Sequence, residues 1–108
     1  MAYRVFLTDD AARDIEELYD YIAEHDGLQK ADYVLDHIES AISGLSEFPE
    51  RGTYPGELSA LGIREYREVF FKPYRLIYRV MGEAVYIYLI ADGRRNMRSL
   101  LERRLFLA

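Results

Sequence analysis

The arginines of the stretch PYRLIYRVMGEAVYIYLIADGRR, residues 73–95, are the side chains best suited to chemistry. Arg75 and Arg79 are four residues apart and share one face of an extended strand, Arg94 and Arg95 close the stretch, and Arg98, Arg103 and Arg104 follow. A guanidinium is a permanent cation with five donors in a rigid fork, so it grips phosphate or carboxylate but does not serve as a base. Tyr86 and Tyr88 add amphipathic rings to the same ribbon. The chain has no cysteine, which removes a thiol nucleophile, a disulfide and a cysteine zinc site. His25 and His37 are the only histidines, too few for a histidine-rich metal centre, and both are read as surface residues. No metal or cofactor is expected.

The net charge of -5 hides an asymmetry. Residues 1–62 hold 4 Lys/Arg against 14 Asp/Glu, whereas residues 63–108 hold 10 against 5. Contact with nucleic acid or with an acidic protein should therefore use the C-terminal half. Two acidic pairs at helical spacing, Glu16 with Asp20 and Asp32 with Asp36, repel each other and do not form a catalytic dyad. A chain of 108 residues, half of them apolar, is read as one domain, 1–108, with one core. The N-terminal residues lack a signal-peptide pattern and no apolar run approaches a membrane span, so a cytoplasmic protein is expected.

The elements that must position the arginines are legible in outline. YRVFL, residues 3–7, reads as a strand, and Thr8-Asp9-Asp10 reads as the start of a helix because these side chains can accept from orphan N–H groups. Ile15, Leu18, Tyr19 and Ile22 gather on one face of that helix, which ends near His25-Asp26-Gly27. A second helix from about Gln29 to Leu45 has a stripe of Ala31, Val34, Leu35, Ile38, Ile42 and Leu45, and the short link makes an antiparallel hairpin. Residues 48–62, rich in Pro and Gly, are read as a surface loop. The period then falls to two, predicting strands at about 63–71, 74–81 and 84–91.

Gly82-Glu83 suits a type II′ turn, which fixes a register. Val80 is predicted opposite Val85, Tyr78 opposite Ile87 and Leu76 opposite Leu89, together forming the core face. The other face pairs Arg79 with Tyr86, Ile77 with Tyr88 and Arg75 with Ile90. Both arginines are then outside the core, and Arg79 is expected over the Tyr86 ring as a cation–π pair. Asn96 can cap a short final helix whose apolar face is Met97, Leu100, Leu101 and Leu105.

This order of elements, with YRLIYRV followed by an apolar strand and Gly93-Arg94-Arg95, resembles the RelE/ParE superfamily of toxins from type II toxin–antitoxin operons. The resemblance covers nearly the whole chain and implies an α+β fold: an N-terminal strand, a helical hairpin packed on an antiparallel sheet, and a short C-terminal helix. One branch of the superfamily resembles ribosome-dependent mRNA endoribonucleases, and the other poisons DNA gyrase. Aligned on these motifs, Arg75 and Arg95 fall on arginine positions of the ribonuclease branch, but its two strand lysines fall on Tyr66 and Glu68 and its helical tyrosine on Leu101. The proton-transfer half of that site is missing, with Tyr66 or Tyr88 as the substitute candidates.

The chain is therefore read as nearer ParE, more a binding inhibitor than an enzyme. Arg94, Arg95, Arg98, Arg103 and Arg104 form a basic patch for target or antitoxin, and Arg75, Arg79, Tyr86 and Tyr88 extend the binding face. The implied partners are a cognate antitoxin, which would assemble with the toxin into a higher-order complex, and DNA gyrase. Growth arrest is the implied outcome, with plasmid stabilisation as one setting. The alternatives are an endoribonuclease acting on ribosome-bound mRNA, and a non-toxic interaction module of the same fold.

Overall fold

A capped helical hairpin covers one face of a four-stranded sheet. The computed structural model describes residues 2–106. β1 (Arg4–Leu7) leads into α1 (Asp9–Asp26) and α2 (Leu28–Gly44), and a single-turn α3 (Gly56–Ser59) precedes β2 (Arg67–Phe71), β3 (Tyr74–Met81) and β4 (Ala84–Asp92). A short α4 (Met97–Leu101) continues into one π-helical turn, Glu102–Phe106. The strand order is β1-β4-β3-β2. The three later strands are antiparallel as expected, while β1 joins β4 in parallel and makes the sheet mixed.

The caps explain where the first helices begin and end. Thr8 Oγ1 accepts the Ala11 N–H at 3.1 Å, and Asp9 and Asp10 in the first turn oppose the positive end of the helix dipole. Gly27 takes φ 96°, a left-handed value that favours glycine, and by itself links α1 to α2. Ile22 of α1 and Ala31, Val34 and Ile38 of α2 are buried with Leu76, Tyr78 and Ile87 in one cluster, which Ile15, Leu18 and Tyr19 flank. Among the described residues no helix is long and apolar enough to cross a membrane.

The tight hairpin has the expected start and a different end. Gly82 has φ 62°, and no non-glycine among the described residues has a positive φ, as a type II′ turn requires. Val80 pairs with Val85, Arg79 with Tyr86 and Tyr78 with Ile87. A bulge then intervenes, so Ile77 meets Leu89, Leu76 meets Ile90 and Arg75 meets Ala91. The expected pairs Leu76–Leu89, Ile77–Tyr88 and Arg75–Ile90 are each displaced by the extra residue, Tyr88.

The bulge changes which side chains share a face. Ile90 joins the helix-facing cluster, while Leu89 turns to the opposite face with Ile77 and Ala91. That second face is also covered, by Leu58 of α3 and by Met97 and Leu101 of α4. Residues 48–62 are thus not simply surface loop: Leu58 is 2% exposed. Ile63 donates its N–H back to Leu58, which withdraws that residue from the ladder and leaves β2 shorter than the 63–71 expectation.

Gly52, within this loop, packs against the sheet, its N–H donating to the buried Tyr78 hydroxyl at 3.0 Å. A Cβ there would lie 2.5 Å from the Glu68 carbonyl oxygen and 2.6 Å from the Tyr78 hydroxyl. Gly52→Ala is expected to lower stability by about 1–3 kcal/mol through overpacking, measured by urea denaturation against wild type. An unchanged midpoint would mean that the loop moves aside freely.

Candidate functional site

Arg75 departs most from its expected setting. It lies on the second sheet face, but its side chain is only 12% exposed. Its Nη1 and Nη2 donate to the two carboxylate oxygens of Glu57 at 2.9 and 2.7 Å, and its Nε donates to Glu68 Oε1 at 2.7 Å. The fork is therefore filled by the protein's own carboxylates. Hydrogen bonds from Arg75 hold the Glu57 carboxyl at about 2, well below its usual range, with a smaller contribution from the charge on Arg98. Burial pushes Glu68 up, against the opposing pull of Arg75. Gly93 lets the arginine pass, since a Cβ there would sit 2.7 Å from Arg75 Cδ.

The tyrosines form a second group. Tyr66 is 8% exposed and meets Tyr88 edge-on at 5.6 Å. The Arg79 guanidinium lies 5.8 Å from the centre of the Tyr66 ring, so the expected cation–π pair with Tyr86 is replaced by one with Tyr66. Tyr86 instead stacks on Phe6 of β1 at 5.4 Å, a neighbour that only the parallel β1–β4 pairing supplies. Tyr88 donates its hydroxyl to Met81 Sδ at 3.9 Å. Among the described residues no hydrogen bond or ring contact joins any two of Arg75, Tyr66 and Arg95, the three nuclease candidates.

The five arginines of the expected basic patch divide into three kinds. Arg104 is structural: it donates twice to Asp14, at 2.8 and 3.0 Å, and once to the Tyr88 carbonyl at 2.7 Å. Arg94 is exposed but leans on Asp92, with Nη2 to Oδ2 at 2.6 Å; hydrogen bonds from Arg94 lower the Asp92 carboxyl. Arg95, Arg98 and Arg103 are exposed and have no ion-pair partner among the described residues. Asn96 presents this segment, its Oδ1 accepting the Ser99 N–H at 3.1 Å at the start of α4. Glu57 and Asp14 were missed as partners, and no local sequence pattern marks either.

A short strand, a helical hairpin over a mixed four-stranded sheet and a short C-terminal helix make up a fold shared with solved toxins of the RelE and ParE type. The chain matches a solved structure of the chromosomal ParDE toxin–antitoxin system from P. aeruginosa with a TM-score of 0.70 and 22% identity, covering 84% of this chain and 96% of that one. A mutant form of the E. coli toxin RelE in the free state gives a TM-score of 0.63 at 15% identity, covering 93% of each chain. The RelBE2 toxin–antitoxin complex from Mycobacterium tuberculosis gives 0.56 at 26% identity, covering 85% of this chain and 92% of that one.

The family follows from sequence. Residues 5–97 match the ParE toxin of the type II toxin–antitoxin system parDE, and the chain is 33% identical over 101 residues to Toxin ParE3 of Caulobacter vibrioides, covering 94% of this chain and 97% of that protein. This chain belongs to the ParE toxin family of type II toxin–antitoxin systems.

Proposed function

We propose that this protein arrests growth by binding, with DNA gyrase as its target in the cytoplasm, and that a cognate antitoxin holds it inactive. The observation that carries the reading is the state of Arg75. Glu57 and Glu68 fill the guanidinium that a ribonuclease site would turn towards a strained phosphate. Arg95, Arg98 and Arg103 remain exposed at the exit of the ribbon, where fixed cations suit an acidic protein surface or the phosphates of bound DNA. An antitoxin segment with carboxylates would cover the same cations and compete with the target.

The test is controlled expression of the chain in bacteria, with growth, DNA breaks and transcript integrity scored together. DNA breaks with intact transcripts are expected, and should disappear in a host whose gyrase resists poisoning. Ribosome-dependent transcript cutting would replace this reading with the endoribonuclease. Unimpaired growth with folded, abundant protein would leave a non-toxic module of the same fold.

A further inference from the structure

β3 runs on past β2. Their pairing starts with Arg67 opposite Tyr78, so β3 from Arg79 to Met81 has no β2 residue beside it. A cleft of about 290 Å³ opens at this step, lined by Glu50, Arg64, Glu65, Arg67, Arg79 and Val80. Its walls are held in place. Thr53 exchanges both backbone bonds with Glu68, at 3.0 and 2.7 Å, which pins the chain before Tyr54 to β2. Arg67 Nη1 donates to the Gly52 carbonyl at 3.0 Å, and its Nη2 donates to the Tyr54 hydroxyl at 3.2 Å.

The three arginines of the cleft are stacked but not neutralised. The Arg64 and Arg67 guanidiniums lie 5.4 and 4.7 Å from the centre of the Tyr54 ring, and Arg79 lies against Tyr66. Among the described residues none of the three has an ion pair, not even with Glu50 or Glu65 in the same lining. Stacking holds a guanidinium by its flat face and leaves its N–H edge free to donate. This is the reverse of Arg75 and Arg104, whose forks are filled by carboxylates.

The mixture of charges narrows the ligand. An acidic peptide would suit the arginines but be repelled by Glu50 and Glu65, and a bare anion would leave both carboxylates unused. A nucleotide offers both signs: phosphate oxygens for converging guanidiniums, and base N–H donors for a carboxylate. Guanine fits best, because its ring N–H and amino group are adjacent and match the two oxygens of one carboxylate. Adenine and cytosine present only an amino group there. The cleft lies at the small end of ligand pockets, which span roughly 300–1,000 Å³, so it suits one nucleotide unit and not a duplex.

We propose that this cleft binds a guanine nucleotide unit, with its phosphate on Arg64, Arg67 and Arg79 and its base edge on Glu50 or Glu65. The site goes beyond the gyrase reading and is separate from the surface assigned to the target. Arg79 sits opposite Tyr86 near the Gly82 turn, whereas Arg95 follows the far end of β4. A free nucleotide and an unpaired guanine in a nucleic-acid strand share this chemistry.

The experiment is an NMR titration of the isotope-labelled chain with guanosine monophosphate, adenosine monophosphate and inorganic phosphate in parallel. Saturable shifts are expected at the Arg64, Arg67 and Arg79 side-chain N–H signals, with guanosine monophosphate binding at least about tenfold tighter than phosphate. Arg64→Ala with Arg79→Ala should weaken guanosine monophosphate by about tenfold or more, while amide signals away from the cleft stay unchanged and so report an intact fold. Glu50→Gln with Glu65→Gln should bring the guanine and adenine nucleotides to equal affinity. A short thymidine oligonucleotide with one central guanine assigns the source: tighter binding than the mononucleotide means a strand, weaker binding a free nucleotide. Phosphate binding as tightly as guanosine monophosphate would reduce the cleft to a bare anion site and overturn the proposal. So would a polyglutamate peptide that shifts the same signals more strongly, or the absence of shifts at the three arginines.

Discussion

Replacing Arg75 by alanine is expected to destabilise the protein by about 3 kcal/mol or more, because it leaves two carboxylates clustered without their counter-charge. Glu68 is 5% exposed, and burial already disfavours its charged form even with Arg75 present. Glu57 also loses both of its guanidinium bonds. Removing the carboxylates as well should restore much of the loss. The triple change Arg75→Met, Glu57→Gln and Glu68→Leu is expected to lie much closer to wild type than Arg75→Ala does, since buried ion pairs are often replaceable by packed apolar groups. Urea denaturation at neutral pH separates the cases, and a loss below about 1 kcal/mol for Arg75→Ala would show the cluster to be well solvated.

The same cluster predicts an acid response. Glu57 titrates at about 2 in the folded protein against 4.5 as its ordinary value, so the unfolded chain binds the proton more readily across that interval. Its contribution to stability is then fully present above about pH 4.5 and is lost as pH falls towards 2. Glu68 shifts the other way: its contribution falls as pH rises through the region above 4.5, partly offsetting Glu57. Glu57→Gln should flatten the acid limb of a stability-against-pH curve below pH 4.5, and an unchanged limb would remove Glu57 as its source.

What the sequence revealed followed local rules, and what it hid followed long-range ones. Thr8, Gly82 and Asn96 act through neighbours two or three residues away, so the first helix start, the hairpin turn and the last cap were readable. The register was readable only as far as Ile87. Beyond it the run Tyr88-Leu89-Ile90-Ala91 is apolar or aromatic throughout, and no polar residue reports the bulge that sends Leu89 and Ile90 to opposite faces. A helix of four residues, Gly56–Ser59, is too short to show a period among prolines and glycines. The arginine positions were evident, but their partners were not: Glu57 is 18 residues from Arg75 and Asp14 is 90 residues from Arg104.

That division among the arginines leads to the sharpest functional prediction. Arg95→Ala, Arg98→Ala and Arg103→Ala together should abolish growth arrest while leaving the fold intact. All three are exposed and without a carboxylate partner among the described residues, so each substitution should change stability by no more than about 0.5 kcal/mol. If each contributes about 1 kcal/mol at the target interface, the triple change weakens binding on the order of a hundredfold. The loss should shrink as salt is raised, because exposed charges are screened.

Arg104→Ala is the necessary contrast. It removes one arginine charge where the triple change removes three, but it strands Asp14 and frees the Tyr88 carbonyl, so it should cost about 2–3 kcal/mol of stability through its charged hydrogen bonds. Its effect on growth should follow the amount of folded protein. Thermal melts, protein levels and growth curves for the two variants distinguish a contact surface from a structural clamp. Full toxicity in the folded triple variant would move the target surface away from the ribbon exit, whereas equal stability loss in both variants would overturn the division between free and clamped arginines.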